Sequence, residues 1–206
     1  MTDRRPMREL RKDPVLGRWV IISSERALRP VDFHLPEPEF RGDPCPFCPG
    51  REAATPPEIL ALGRTGGAPD TPGWSVRVVP NRYPALGPHE ELDRRKDGLF
   101  ETMNGVGVHE VIVETPDHRA SLESLPPRHL ADVLSVWRRR MLDLEGNPRY
   151  KYVLVFRNHG AYAGATLEHP HAQLIAIPIV PKRVKEDLKG SRAHYEKTAR
   201  CVYCDL

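Results

Sequence analysis

The sequence predicts an α+β fold, an antiparallel sheet covered by one long helix. Three observations predict it: several short β-prone runs, a single long stretch with helical apolar spacing, and two late runs suited to pair with each other. Residues 13–22 read as a short hairpin, with Asp13-Pro14-Val15-Leu16-Gly17 as the turn and Trp19–Ile22 as a strand. Residues 36–73 are rich in Pro and Gly and read as loop wrapped around Cys45-Pro46-Phe47-Cys48. Strands follow at Ser75–Val79 and Val108–Glu114. Leu130, Val133, Leu134, Trp137, Met141 and Leu144 recur on one helical face, started by Pro126-Pro127 and stopped by Gly146-Asn147-Pro148. Tyr150–Phe156 is a strongly β-prone strand, and Gln173–Ile179 is its expected partner. Pro181–Lys197 returns to charged helical sequence, with an interruption expected at Gly190.

A chain of 206 residues can bury one sizeable core. The expected division is a domain over 1–181 and a helical connector over 182–206. Net charge is only +3, with both signs interspersed, so charge does not suggest a nucleic-acid surface. No apolar run approaches the roughly 20 residues needed to span a bilayer. The charged stretch 1–11 lacks an apolar signal core, so a cytoplasmic location is expected. The four cysteines form two Cys-x-x-Cys pairs, a metal or redox spacing rather than a disulfide framework. Trp19, Trp74 and Trp137 read as core or interface residues.

The most informative run is His169-Pro170-His171-Ala172-Gln173, leading into Leu174-Ile175-Ala176-Ile177. On a strand, side chains alternate, so His169, His171 and Gln173 share one face and Pro170, Ala172 and Leu174 the other. A neutral imidazole is a nucleophile near pH 7, and an amide two residues on can donate to a phosphate oxygen. The pattern suits transfer of a phosphoryl or nucleotidyl group through histidine, and the bland alternative is two histidines at a strand end with no chemical role. Gly160 and Gly164 can bring backbone N–H groups close to a phosphate.

These residues resemble galactose-1-phosphate uridylyltransferases, the transferase branch of the histidine-triad superfamily. Other segments fit in the same order: Gly17-Arg18-Trp19-Val20-Ile21-Ile22 with Arg26 and Arg29-Pro30, Cys45-Pro46-Phe47-Cys48-Pro49-Gly50, and Thr55-Pro56-Pro57-Glu58. Val78-Val79-Pro80-Asn81-Arg82-Tyr83-Pro84, His109-Glu110-Val111-Ile112-Val113-Glu114 with Asp117-His118, and Asn158-His159-Gly160 before Gly164-Ala165-Thr166 complete the set. The resemblance spans nearly all of 8–182. It implies a histidine-triad-like half-barrel acting in galactose and carbohydrate metabolism. It also implies a homodimer that uses UDP-glucose and a hexose 1-phosphate; from charge and hydropathy, no nucleic-acid or membrane partner is expected.

The resemblance assigns His171 as the nucleophile that becomes uridylylated, with Gln173 beside it. Gln173 can donate to a phosphoryl oxygen but cannot shuttle a proton, which suits a phosphate acceptor that arrives ionised rather than water. Asn158 and Thr166 match positions near the nucleophile and phosphates. Asn81 matches a uridine-contacting position, and Arg26 and Arg29 match nucleotide-side arginines. Zinc is expected on Cys45, Cys48, His118 and His169, in a structural role. From the residues alone, His109 is a rival third ligand, Cys45 and Cys48 could join Cys201 and Cys204 in a Cys₄ site, and a metal-free loop stays open. Relatives that move an adenylyl group, the ADP-glucose and dinucleotide-polyphosphate phosphorylases, are an alternative. The resembling enzymes have two related halves, and Cys201-Val202-Tyr203-Cys204 falls where a second half begins. The chain therefore looks like a first half, and an inactive nucleotide- and zinc-binding half is a further alternative.

Overall fold

Runs rich in Val and Ile form the central strands here. A computed structural model describes residues 8–17, 19–23, 45–87, 91–160 and 163–206. Along the chain lie β1 (Arg8–Lys12), β2 (Trp19–Ser23), β3 (Leu60–Leu62), β4 (Val76–Pro80), β5 (Arg94–Asp97) and β6 (Phe100–Met103). Then come β7 (Val108–Val113), α1 (Pro127–Glu145), β8 (Tyr152–Phe156), β9 (His171–Ile177), α2 (Lys182–Thr198) and the short α3 (Val202–Asp205).

The chain divides into two compact units, Glu39–Ile179 and the pair of segments Met1–Pro38 with Val180–Leu206. The larger unit holds a five-stranded sheet in the order β3-β4-β7-β9-β8. Every neighbouring pair is antiparallel. A separate hairpin, β5–β6, turns at Gly98 with a positive φ of 57°.

Register decides what each face of this sheet carries. Ile112 lies opposite Ala172 and Glu110 opposite Leu174, while Val113 faces His171 and Val111 faces Gln173. Ala172, Leu174 and Ala176 are fully buried and pack with Val76, Val78, Ile112 and Val153 against Val133, Val136 and Leu144 of α1. On the opposite face, Val79, Val111 and Val113 pack with Trp74, Phe47 and Cys45. Pro127 opens α1 at a position where a missing N–H costs nothing, and Gly146 ends it. Gly107 enters β7 against the backbone carbonyl of Ala176, where a Cβ would collide.

The antiparallel α+β arrangement with one long covering helix is the expected one. Strands shifted by one or two residues; β9 starts at His171 rather than Gln173 and ends at Ile177. β3 lies in the stretch that reads as loop, and β5 and β6 lie where the sequence suggests no element, since Arg-Arg-Lys-Asp in β5 has little β preference. The expected interruption at Gly190 does not occur: α2 runs through it. Gly190 sits against the backbone carbonyl of Val15, so the glycine is there for close approach rather than as a break.

Candidate functional site

Cys45 opens a tight turn in which the Cys48 N–H donates to the Cys45 carbonyl at 3.3 Å and the Phe47 N–H to Cys45 Sγ at 3.4 Å. The turn brings both sulfurs to one side. His118 follows a turn in which the Asp117 N–H donates to Thr115 Oγ1 at 3.2 Å. His169 is fully buried and donates its Nε2–H to the Thr115 carbonyl at 2.8 Å, leaving the Nδ1 lone pair free. That Nδ1 lies 3.7 Å from Cys48 Sγ, and His118 Nδ1 lies 3.4 Å from the same sulfur.

The ligand atoms of Cys45, Cys48, His118 and His169 all lie within 4.8 Å of one another. A tetrahedral zinc with sulfur at ~2.3 Å and nitrogen at ~2.0–2.1 Å sets neighbouring ligand atoms roughly 3.3–3.8 Å apart. The two Cys48–histidine distances fall in that range. The Thr115 carbonyl orients His169 from behind, as outer partners of metal-binding histidines do. Burial pushes the Cys45 thiol up to about 11 and the His169 imidazole down to about 4. A cation in their midst reverses the first effect, because a coordinated thiol is deprotonated outright. The donor set and its spacing therefore fit a divalent metal. His109 lies elsewhere, against Gln173, and Cys201 and Cys204 belong to the other compact unit and to no such cluster among the described residues.

His171 begins β9 and is half-buried. Its Nδ1–H donates to the His169 carbonyl at 2.8 Å, which leaves Nε2 unprotonated and available. Burial, with the nearby Arg157 charge adding to it, holds this imidazole below its ordinary value, so it is neutral at pH 7. Phe47 stands between the two halves of the site, its ring centroid 6.1 Å from that of His169 and 5.4 Å from that of His171. The cysteine turn thus packs directly on the candidate nucleophile.

Gln173 lies two residues on, on the same face, with Oε1 at 2.8 Å from His109 Nε2. Asn81, beyond the end of β4, is engaged locally: its Oδ1 accepts the Tyr83 N–H at 2.8 Å and its Nδ2 lies 3.0 Å from His109 Nε2. Asn158 is half-buried two residues past Phe156, the strand partner of Gln173. Gly160 and Gly164 both have positive φ, 77° and 82°, and the N–H groups of Ala163 and Ala165 both reach the Gly160 carbonyl at 3.2 Å. Thr166 is exposed on the same loop. Arg26 and Arg29 lie outside the described residues.

Three residues around the site carry no role in the sequence reading. Phe47 could have been noticed as the one aromatic between the two cysteines. Glu114 is completely buried, and Arg157 approaches its carboxylate at 3.0 Å without a well-aimed hydrogen bond. Burial raises this carboxyl to about 7. The signal was an acidic residue closing an apolar strand.

The Cys45, Cys48, His118 and His169 cluster adjoins a strand that presents His171 and Gln173 on one face, an arrangement suited to a metal-braced group-transfer enzyme. The chain belongs to the family described as galactose-1-phosphate uridyl transferase, N-terminal domain, which matches residues 1–181. It is 38% identical over 203 residues to an ADP-glucose phosphorylase of Arabidopsis thaliana, covering 96% of this chain and 56% of the relative. It is 30% identical over 201 residues to a galactose-1-phosphate uridylyltransferase of Thermotoga maritima, covering 97% and 56%. Among solved structures, the Arabidopsis ADP-glucose phosphorylase with bound ADP-glucose superimposes with a TM-score of 0.74 at 35% identity, over 97% of this chain and 58% of that one. A uridylyltransferase superimposes with a TM-score of 0.64 at 30% identity, over 97% and 55%. The chain spans a little over half the length of these relatives. Among the described residues, no helix is long and apolar enough to cross a membrane.

Proposed function

We propose that the chain carries the nucleotidyl-transfer site of a nucleotide-sugar enzyme, in which His171 becomes covalently nucleotidylated. The observation that carries this reading is the His171 Nδ1–H bond to the His169 carbonyl, because it commits Nε2 to the unprotonated form that attack requires. The His171 Nε2 lone pair forms a bond to the α-phosphorus of a nucleoside-diphosphate sugar. The bond from that phosphorus to the bridging oxygen breaks, and the sugar 1-phosphate leaves as an anion that needs no proton. In the return step, a phosphate oxygen of the acceptor attacks the same phosphorus and the nitrogen–phosphorus bond breaks.

Gln173 donates to a non-bridging oxygen, and the Gly160–Thr166 loop supplies backbone N–H groups and the Thr166 hydroxyl. Asn158 stands at the same strand end. Cys45, Cys48, His118 and His169 hold zinc, which serves as a clamp between the cysteine turn and the His169 strand rather than as a reactant. The substrates in this reading are UDP-glucose and galactose 1-phosphate, in a cytoplasmic homodimer that supplies the remaining hexose-phosphate contacts. The adenylyl version of the same chemistry is the second reading. It is favoured by the higher identity to the ADP-glucose phosphorylase and by the local engagement of Asn81, the residue that pointed to uridine.

The test is the intact mass of the chain after incubation with UDP-glucose or ADP-glucose without acceptor, kept at neutral or alkaline pH because a phosphorus–nitrogen bond is acid-labile. A gain of one uridylyl or adenylyl group, absent in His171→Ala, is the expected outcome and chooses between the donors. No adduct with either donor in folded, zinc-loaded protein would overturn the reading and leave a binding half-chain.

A further inference from the structure

We propose that His109 is a positioning residue that sets which way the Gln173 amide faces. The proposal rests on the nucleotidyl-transfer reading for its consequence, and on hydrogen-bond logic for its geometry. His109 lies on β7, two residues from Val111, the strand partner of Gln173, and so meets Gln173 diagonally across the sheet.

Three groups surround its ring. The backbone N–H of Ala85 lies 3.0 Å from Nδ1. A backbone N–H can only donate, so Nδ1 must be the unprotonated nitrogen and Nε2 carries the proton. Two groups lie within reach of that proton, Gln173 Oε1 at 2.8 Å and the Asn81 side-chain amide at 3.0 Å. Asn81 cannot accept it. Its Oδ1 is committed to the Tyr83 N–H at 2.8 Å, so the amide nitrogen, itself a donor, faces His109. The Nε2–H therefore goes to Gln173 Oε1.

This bond settles the Gln173 amide, whose two ends are otherwise interchangeable in shape. With Oε1 turned to His109, the Gln173 NH₂ group is turned away from it. Flipping the amide would face the Nε2–H with two donors, the Asn81 and Gln173 amide nitrogens, and leave it no acceptor. The orientation that His109 enforces presents a donor, not an acceptor, to the other side of Gln173. A phosphoryl group bearing negative charge requires a donor there. The chain of control runs from the Ala85 backbone through His109 to Gln173, and Tyr83 holds Asn81 out of competition.

The test is the single-turnover rate of nucleotidylation, measured with the nucleotide sugar that forms the adduct, in wild type, His109→Phe and His109→Gln. Phenylalanine fills the space without a donor, and glutamine restores an N–H near the Nε2 position. His109→Phe is expected to slow adduct formation about tenfold, the size of one lost hydrogen bond, and His109→Gln to recover most of that. In a Gln173→Leu background, His109→Phe is expected to add less than about twofold, because the group it positions is gone. A full tenfold loss in that background, or no recovery with glutamine, would overturn the proposal. The ring tautomer of His109, read by nitrogen NMR on the wild-type chain, separates this from the functional reading. If no adduct forms, that reading fails, while a protonated Nε2 with a bare Nδ1 still supports the positioning bond. A proton on Nδ1 would overturn it whatever the activity.

Discussion

The two faces of one five-stranded sheet solve opposite problems with alternate residues of the same strand. Towards α1, β9 sends Ala172, Leu174 and Ala176, each fully buried in an apolar layer. Towards the cysteine turn it sends His171 and Gln173, half-buried and each tied by a 2.8 Å hydrogen bond. The first face is held by area, which is non-directional and tolerant of detail. The second is held by directed bonds, from His171 to the His169 carbonyl two residues back and from His109 on β7 to Gln173. The lesson is that stability and chemistry are separated here by a single residue step.

The largest effect should come from damaging the apolar face. Leu174→Ala is expected to cost about 3–5 kcal/mol in unfolding free energy, while His171→Ala changes it by less than about 1 kcal/mol and abolishes nucleotidylation. Denaturant titration of both variants checks this, and equal losses would break the contrast. A similar size is expected from a fully buried carboxylate just past the end of β7. Glu114 has its carboxyl raised to about 7 in the folded chain against an ordinary 4.5. The folded state then keeps a proton that the unfolded state has released, so stability falls as pH rises from about 4.5 to 7 and levels off above. Glu114→Gln should remove that decline, worth about 3 kcal/mol at the 1.36 kcal/mol per unit of linkage. Unfolding midpoints across that pH range measure it, and an unchanged slope would reject it.

Metal removal tests the other face. Chelation should strip zinc from the wild type and lower its thermal midpoint by an amount equivalent to about 2.7 kcal/mol if metal stood at a hundred times its dissociation constant. Cys45→Ser should begin near that lower midpoint and respond little to chelator. An unaltered midpoint in the chelated wild type would show that the turn needs no metal.

The smallest effect is expected from Glu58, whose carboxyl is held below its ordinary range chiefly by Arg64, with Arg77 adding to it. Because its folded value is depressed, its contribution is complete above the ordinary carboxylate value of 4.5 and disappears as pH falls below it. Glu58→Gln should flatten the acid limb of the stability curve, and a curve parallel to wild type would remove Glu58 from the account.

Much of this was legible in sequence because it is local. The stripe Val133, Trp137, Met141 and Leu144 marked α1, with Pro127 and Gly146 at its ends. The alternation set Ala172 and Leu174 on the side of β9 opposite His171 and Gln173. Asn158, Thr166 and Gly164 could be placed on loops at the strand ends. β3 and β5 were not legible, since three residues of β3 and the charged run of β5 become strands only through a neighbour's hydrogen bonds.

By itself the sequence determined the residue types and their period: which side chains of β9 point together, where α1 begins and ends, and which residues can ligate a metal or carry a phosphoryl group. Only the tertiary structure decided their partners. Cys48 and His169 are 121 positions apart, and His109 and Gln173 are 64 apart. Periodicity constrains neighbours within a turn or a strand, whereas contacts at such separations exist only after β4, β7 and β9 have aligned. That alignment put the Thr115 carbonyl behind His169 and the Ala85 N–H behind His109. Those two backbone groups fix which nitrogen of each imidazole carries the proton, and no side-chain pattern encodes them.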